Sequence, residues 1–503
     1  MSLYIGIDFG TSTNLVTRWN EEKKRVDHVQ GFSGHGGPDV FPNVIYYESP
    51  ESILIGNAAE NKGKNDPYNY VEAIKRHIGE KNYRQYIPNL NRELTSEDIA
   101  KDIFTCIRKK IETAYGGEKI DAVVISVPFA YQHTERARIK NAAINAGMNV
   151  IGLIEEPVAA ALTYGLRTDI NNTRERILVF DMGGGTLDVT MFDFKKKSEN
   201  NFLVWVCGTD GDKKLGGRDV DEIIKQKLYG MVQNKYEEYR LDDYPEDKRE
   251  TDFATLRTEA VELKKNLSDD PDAEAFVQFR SQINKEWKLE EYIEAEFLDD
   301  TLKNVGFLNR IKNVLINIQE DLEDRGEDID SIDKILLVGG STNIPAIQTI
   351  VKDFFDKEPE FSINPPVDEL VGEGAAIYCG IIKDNNVHYS IKSCVSHSIG
   401  VKEIGSGRFI PILEKNTLYG KESEIYKVKF KYSDRDEEIK IFQYVNDNYA
   451  LVGTIEISEN DKSNTSDKEI GLQLNTDQSG MIKYVLFDQY DNKLREDYIR
   501  EAE

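Results

Sequence analysis

Twice in this chain a short apolar stretch runs into a glycine-rich turn that opens on an aspartate, and that duplication constrains the fold more than any other feature. Residues 3–7 lead into Asp8-Phe9-Gly10-Thr11-Ser12-Thr13, and residues 177–180 lead into Asp181-Met182-Gly183-Gly184-Gly185-Thr186-Leu187-Asp188. Each turn sets a carboxylate at a strand end, just before consecutive main-chain N–H groups. Glycine lets a backbone approach a phosphate closely, successive N–H groups form an anion-binding nest, and carboxylates hold a hydrated Mg²⁺. Two such turns predict two lobes clasping one nucleotide. A third element, residues 335–342, reads as a buried strand, a Gly339-Gly340 turn and a helix start. Ser341 or Thr342 is the expected N-cap, with Pro345 in the first turn. A helix beginning there would turn N–H donors and a positive dipole end towards a phosphate or ribose. One diglycine turn alone is most often a tight connection; an ordered set of three is a pattern.

At 503 residues the chain exceeds what one core can serve and divides into about three or four domains on the usual size scale. A net charge of −26 opposes association with nucleic acid or an anionic membrane, so neither is expected as a partner. Cys106, Cys207, Cys379 and Cys394 lack the spacing of a zinc site or a disulfide framework, which favours a reducing compartment. No apolar run is long enough to span a bilayer, and no leader precedes the first strand; the expected location is cytoplasmic.

Up to about residue 383 strand-like and helix-like segments alternate, the mark of α/β construction. Residues 95–115 predict a helix, with Thr95 and Asp98 at capping-box spacing, an Ile99, Ile103, Ile107, Ile111 stripe and a Gly116-Gly117 stop. That stripe is read as core. Residues 123–127 predict a strand ending at Pro128, and residues 135–147 a helix. Residues 237–272 are densely charged and read as a solvated helical subdomain. Beyond about residue 384 the period changes to two, in segments 428–432, 438–441, 454–457, 472–474 and 482–484, which predicts an antiparallel β domain.

Taken in order, the segments Gly6-Ile7-Asp8-Phe9-Gly10-Thr11, Ala73-Ile74-Lys75-Arg76, Val127-Pro128, Glu156-Pro157-Val158-Ala159-Ala160-Ala161-Leu162, residues 181–188, Leu215-Gly216-Gly217 and Val338-Gly339-Gly340-Ser341-Thr342 resemble the seventy-kilodalton heat-shock chaperones of the DnaK type. The resemblance implies an actin-like, two-lobed α/β ATPase domain over residues 1–384, with lobes meeting near residue 184. A linker at 385–395 and an all-β sandwich at 396–503 that binds unfolded peptides would follow. A C-terminal helical lid is not expected after residue 503.

Carried over position by position, Asp8, Glu156, Asp181 and Asp188 match the family's acidic cluster around Mg²⁺, with K⁺ as a further cation. Asp8, Asp181 and Asp188 are the expected metal ligands. Lys75 matches the lysine that neutralises charge on the transferred phosphoryl group, and otherwise reads as a structural ion-pair partner. ATP or ADP would be held by Gly10, Thr11, Ser12, Thr13, Gly183, Gly184, Gly185, Thr186, Gly216, Gly217, Gly339, Gly340 and Ser341, with Lys264, Lys265 and Ser268 on the adenosine side. Pro128 and Arg136 match the family's proline switch and its relay between domains. Asn343 replaces an arginine beside the adenine, Val261 replaces a ribose-binding glutamate, and the linker segment 387–392 lacks the acidic, leucine-rich character of the family.

The resulting expectation is an ATP-hydrolysing chaperone whose nucleotide state modulates its hold on extended apolar peptides, with co-chaperones as possible partners. The alternative is a nucleotide-binding adaptor with little turnover that docks one folded partner. An actin-fold small-molecule kinase is disfavoured, because such an enzyme needs no appended β domain.

Overall fold

The computed structural model describes residues 2–32, 40–63, 66–167, 174–198, 201–269, 274–323, 326–361, 369–383, 388–403, 405–429, 437–445, 448–458, 461 and 469–500. The chain forms two compact units. The first comprises Met1–Ile177, Thr190–Thr209 and Glu369–Glu503; the second comprises Leu178–Val189 and Asp210–Asp368.

The first unit is built on a sheet whose strands run, in spatial order, Val150–Glu155, Ala122–Val127, Tyr4–Phe9, Thr13–Asn20 and Arg25–His28, with Phe41–Pro42 also pairing on Thr13–Asn20. Tyr4–Phe9 lies parallel to Ala122–Val127 and antiparallel to Thr13–Asn20. Ala122–Val127 is apolar except for Ser126 and every residue of it is buried, as a strand covered on both faces requires. The helix Leu370–Lys383 crosses Tyr4–Phe9 so closely that a Cβ on Gly6 would meet the backbone of Ala376. The helix anticipated at 95–115 is Ser96–Ala114, with both bonds of the capping box formed by Thr95 and Asp98. Its isoleucine stripe is wholly buried in the core of this sheet. The helix expected at 135–147 starts two residues earlier, at His133.

Residues 396–500 fold as two antiparallel four-stranded sheets, Phe409–Leu413, Ile399–Lys402, Glu437–Val445, Asn448–Ile457 and Tyr426–Lys429, Glu469–Thr476, Ile482–Phe487, Lys493–Tyr498. Period-two alternation supplies the core between them: Ile439 and Ile441 point in beside Leu472 and Leu474, while Glu438 and Lys440 are exposed. Residues 430–432 of one anticipated strand lie outside the described residues.

In the segment ahead of the sandwich, read from its sequence as a linker without the family's acidic, leucine-rich character, His388–Lys392 is a strand lying parallel to Asn201–Trp205. Strand addition uses main-chain N–H and C=O groups, so it does not depend on the leucines and acids that this segment lacks. Residues 385–387 lie outside the described residues.

The second unit contains the helices Gly217–Lys235, Glu246–Asp269, Glu296–Asn304, Phe307–Glu323 and Pro345–Phe355, the hairpin Glu274–Arg280 and Lys288–Glu294, and the parallel pair Lys334–Val338 and Glu360–Phe361. Most charges of 237–269 are solvated as anticipated, but Asp252 is fully buried. Tyr239 and Ser281 donate hydroxyl hydrogen bonds to it (3.1 and 2.6 Å), as does the Gln282 N–H (2.7 Å). Three donors are what a buried carboxylate requires.

The candidate nucleotide half-sites and the docked sandwich

The first unit gathers one set of the anticipated residues. The strand Tyr4–Phe9 delivers Asp8, whose carboxylate accepts a 2.6 Å hydrogen bond from Ser126 at the end of the neighbouring strand. Gly10, Thr11, Ser12 and Thr13 form the turn that follows, with Thr11 buried and Thr13 exposed. Asn43 braces this turn, its side-chain amide donating to the Gly10 C=O (2.5 Å) and its own N–H to the Ser12 C=O (2.7 Å). Lys75 sits on a single 3₁₀ turn, Ile74–His77, entered through Ala73 in the left-handed region at φ 54°. Its ammonium is 3% exposed and ion-paired with Glu156 at the start of the helix Glu156–Arg167. Tyr131 donates to the Lys75 C=O (2.8 Å) and fixes the turn. Asp8 and Glu156 thus lie on a strand and a helix, and Lys75 on a turn braced by Tyr131, as a site that positions charge requires.

The second unit gathers the other set. Asp181 and Asp188 bracket the loop Gly183-Gly184-Gly185-Thr186, which is closed by a Gly183 N–H to Thr186 C=O bond (3.2 Å). The N–H groups of Gly217 and Arg218 reach the carbonyls of Gly183 and Gly184 (3.0 and 2.9 Å), so the start of the helix Gly217–Lys235 is stapled to that loop. A Cβ on Gly339, which adopts φ 84°, would stand 2.5 Å from the Met182 carbonyl and 2.9 Å from an Asp181 carboxylate oxygen. Only glycine serves there, by conformation and by space. Neither Ser341 nor Thr342 caps the following helix, as the spacing had suggested. Gly340–Asn343 is a 3₁₀ turn, and Pro345–Phe355 starts with Pro345 at its first position after Ile344. Ser341 instead donates to the Gly183 C=O (2.8 Å), and Thr342 to the Gly339 C=O (2.7 Å). Three glycine segments distant in sequence are thereby brought into one cluster.

The adenosine-side residues divide. Lys264 is half-buried, paired with Asp221 (2.6 Å) and bonded to the Gly217 C=O (3.2 Å), so it belongs to this cluster. Ser268 donates back to the Lys264 C=O (2.7 Å). Lys265 is exposed and pairs with Glu262 one turn away, and Asn343 is exposed. Asp221, Ser126 and Asn43 escaped sequence reading; Ser126 and Asn43 stand out only as single polar residues among apolar ones, and Asp221 lies among other charged residues.

Within the first unit the sandwich docks on the strand Val150–Glu155 and the helix that begins at His133. Arg136, 2% exposed, donates to Glu155 (2.9 Å), to the carbonyls of Tyr131 (3.0 Å) and Phe129 (3.2 Å), and to Ser479 C=O in the sandwich (3.2 Å). Tyr419 of the sandwich donates to the same Glu155 oxygen (2.6 Å), and the Ser479 hydroxyl receives the Leu153 N–H (3.1 Å). Burial opposes the charge on Arg136, but the neighbouring Tyr419 and Glu155 outweigh it and hold the guanidinium ionised; burial pushes the Tyr419 phenol up. Gly480 approaches so closely, at φ 71°, that a Cβ would stand 2.9 Å from the Arg136 guanidinium. His133 spans the junction with both ring nitrogens: Nδ1 accepts the Ile482 N–H (3.0 Å), and Nε2 lies 3.0 Å from the Ile499 C=O. A carbonyl only accepts, so Nε2 carries the proton.

The first unit thus sets a buried lysine–glutamate pair beside an appended β-sandwich, and the second gathers three glycine segments around two aspartates. In comparison with known proteins, the family model described as Hsp70 protein matches residues 4–503, and the chain belongs to that family. Among its relatives are two proteins named Chaperone protein DnaK from two strains of Ureaplasma parvum serovar 3. Each is 30% identical over 494 residues, which covers 95% of this chain and 75% of the relative.

Proposed function

We propose that this chain is an Mg²⁺-dependent ATPase whose nucleotide state modulates how the sandwich holds extended apolar peptide segments. The observation that carries this reading is the buried Lys75–Glu156 ion pair, whose glutamate follows directly in sequence on Arg136's partner, Glu155: the residue pair suited to the chemistry adjoins the pair that holds the sandwich.

The residues fit Mg·ATP. Asp8, Asp181 and Asp188 offer hard carboxylate oxygens of the kind Mg²⁺ and K⁺ take, and Gly183 and Gly340 have open space where a Cβ would stand. Bound Mg²⁺ would supply charge neutralisation at the phosphoryl oxygens. Lys75 would add a fixed positive charge, Glu156 would orient the attacking water, and Thr11 and Thr186 would contact phosphate. Lys264 and Ser268 would lie along the adenosine. The domain limits proposed here are 1–384, 385–395 and 396–503, with the cytoplasm as location, unfolded peptides as clients and co-chaperones as partners. Steady-state ATP hydrolysis with and without an unfolded apolar peptide tests the reading. Mg²⁺-dependent turnover stimulated by peptide supports it, while nucleotide binding without turnover supports the adaptor alternative.

A further inference from the structure

Away from both half-sites, three metal-ligating side chains converge on the outer edge of the first unit's sheet. His28 ends the edge strand Arg25–His28, and Glu369 and Glu373 stand one turn apart at the start of the helix Leu370–Lys383. The His28 Nε2 lies 3.4 Å from a Glu373 oxygen and 3.8 Å from a Glu369 oxygen, and the three ligand atoms fall within 4.8 Å of one another. The Glu373 side chain is 5% exposed, and those of His28 and Glu369 are 17% and 19% exposed.

The fold holds this arrangement from both sides. His28 is in register with Thr17 on the neighbouring strand, and the Thr17 hydroxyl donates to the Gly372 carbonyl (2.6 Å) in the first turn of the helix. The Glu373 N–H to Glu369 C=O bond (3.0 Å) places the two carboxylates on one helix face. Strand and helix are pinned one residue away from the ligands on each side, so the cluster does not depend on a mobile loop.

We propose that His28, Glu369 and Glu373 form a structural site for a divalent transition-metal cation of the Zn²⁺ class, clipping the edge strand to the helix. Zn²⁺ bonds of about 2.0–2.1 Å in tetrahedral geometry set neighbouring ligand atoms about 3.4 Å apart, close to the spacing of His28 and Glu373. The His28–Glu369 pair has a few tenths of an ångström to close on the same scale, and all three ligand atoms already lie within 4.8 Å of one another. Charge points the same way. Two carboxylates converge beside one imidazole, and a divalent cation matches their formal charge of −2; enclosed charge of one sign is costly. An imidazole among the ligands favours Zn²⁺, Ni²⁺ or Cu²⁺ over Mg²⁺ and Ca²⁺, which take oxygen. The fourth position is left for water.

The test uses the full chain, stripped of metal and held in millimolar MgCl₂ so that oxygen-ligand sites are filled. Zn²⁺ binding is measured by calorimetry, and Co²⁺ substitution by visible absorption. One strongly bound Zn²⁺, a rise of several degrees in melting temperature and an intense tetrahedral Co²⁺ band are expected. His28→Gln and Glu369→Gln should each weaken Zn²⁺ by about tenfold or more, with circular dichroism unchanged. Glu369→Gln keeps the proposal testable if changes at the more buried positions impair folding. Binding that both variants leave intact, or no binding at a hundred micromolar Zn²⁺, overturns it. In that case the three residues are an ion pair of His28 with its two carboxylates.

Discussion

Lys75 and Glu156 illustrate how far one residue can be read. A lysine at the end of an apolar stretch reads equally as a structural or a chemical group, and the structure places it, 3% exposed, against a glutamate from a helix far along the chain. If Glu156 orients the attacking water, Glu156→Gln lowers single-turnover ATP hydrolysis by about a hundredfold while nucleotide affinity stays nearly constant, because the interaction is made mainly in the transition state. A rate unchanged by the substitution removes Glu156 from the chemistry. If ADP binds as proposed, an arginine at the exposed Asn343 would set a cation over the adenine. Asn343→Arg should slow release of a fluorescent ADP by about tenfold, the scale of one cation–π contact with its hydrogen bond, as read by stopped-flow. Sequence could nominate both positions, since each falls inside a motif. It could not nominate Asn43 or Asp221, whose roles arise only when a distant backbone carbonyl or lysine arrives beside them.

Among elements, the strand carrying Asp193 shows charge working inside a sheet. Asp193 is 1% exposed and receives both Arg174 and Arg176, the latter at 2.9 Å. Burial alone would raise its pKa, but the two arginines prevail and lower it below the usual carboxylate value. A carboxyl depressed in the folded state contributes stability that is complete above its unfolded pKa and is lost as pH falls through its folded one. The loss therefore belongs below about pH 4. Asp193→Asn should destabilise the first unit by about 3 kcal/mol near neutral pH and flatten its acid unfolding in that range, as followed by tryptophan fluorescence. Elements with their own periodicity were legible in advance: the stripe of Ser96–Ala114 and the alternation of the sandwich both specify a buried face. His388–Lys392 was not, because its partner strand lies nearly two hundred residues earlier and its pairing rests on backbone that every sequence shares. The turn at Gly340–Asn343 misled for a related reason. Ser341 has the chemistry of a cap, but a carbonyl from another segment claims its hydroxyl.

For the whole molecule, the docked arrangement of sandwich and sheet turns on Arg136, Tyr419, Glu155, Ser479 and His133. Gly480→Ala forces a side chain against the guanidinium from a backbone angle that alanine resists. It should loosen docking and raise hydrogen exchange at the main-chain amides of Leu153 and Ile482, while leaving amides in Ser96–Ala114 unchanged. The histidine at this junction meets the sandwich through main-chain groups alone, Nδ1 accepting the Ile482 N–H and Nε2 donating to the Ile499 C=O. A bridge of that kind fixes the register of the sandwich against the helix whatever side chains stand at 482 and 499, so those two positions can change while the docking geometry is kept.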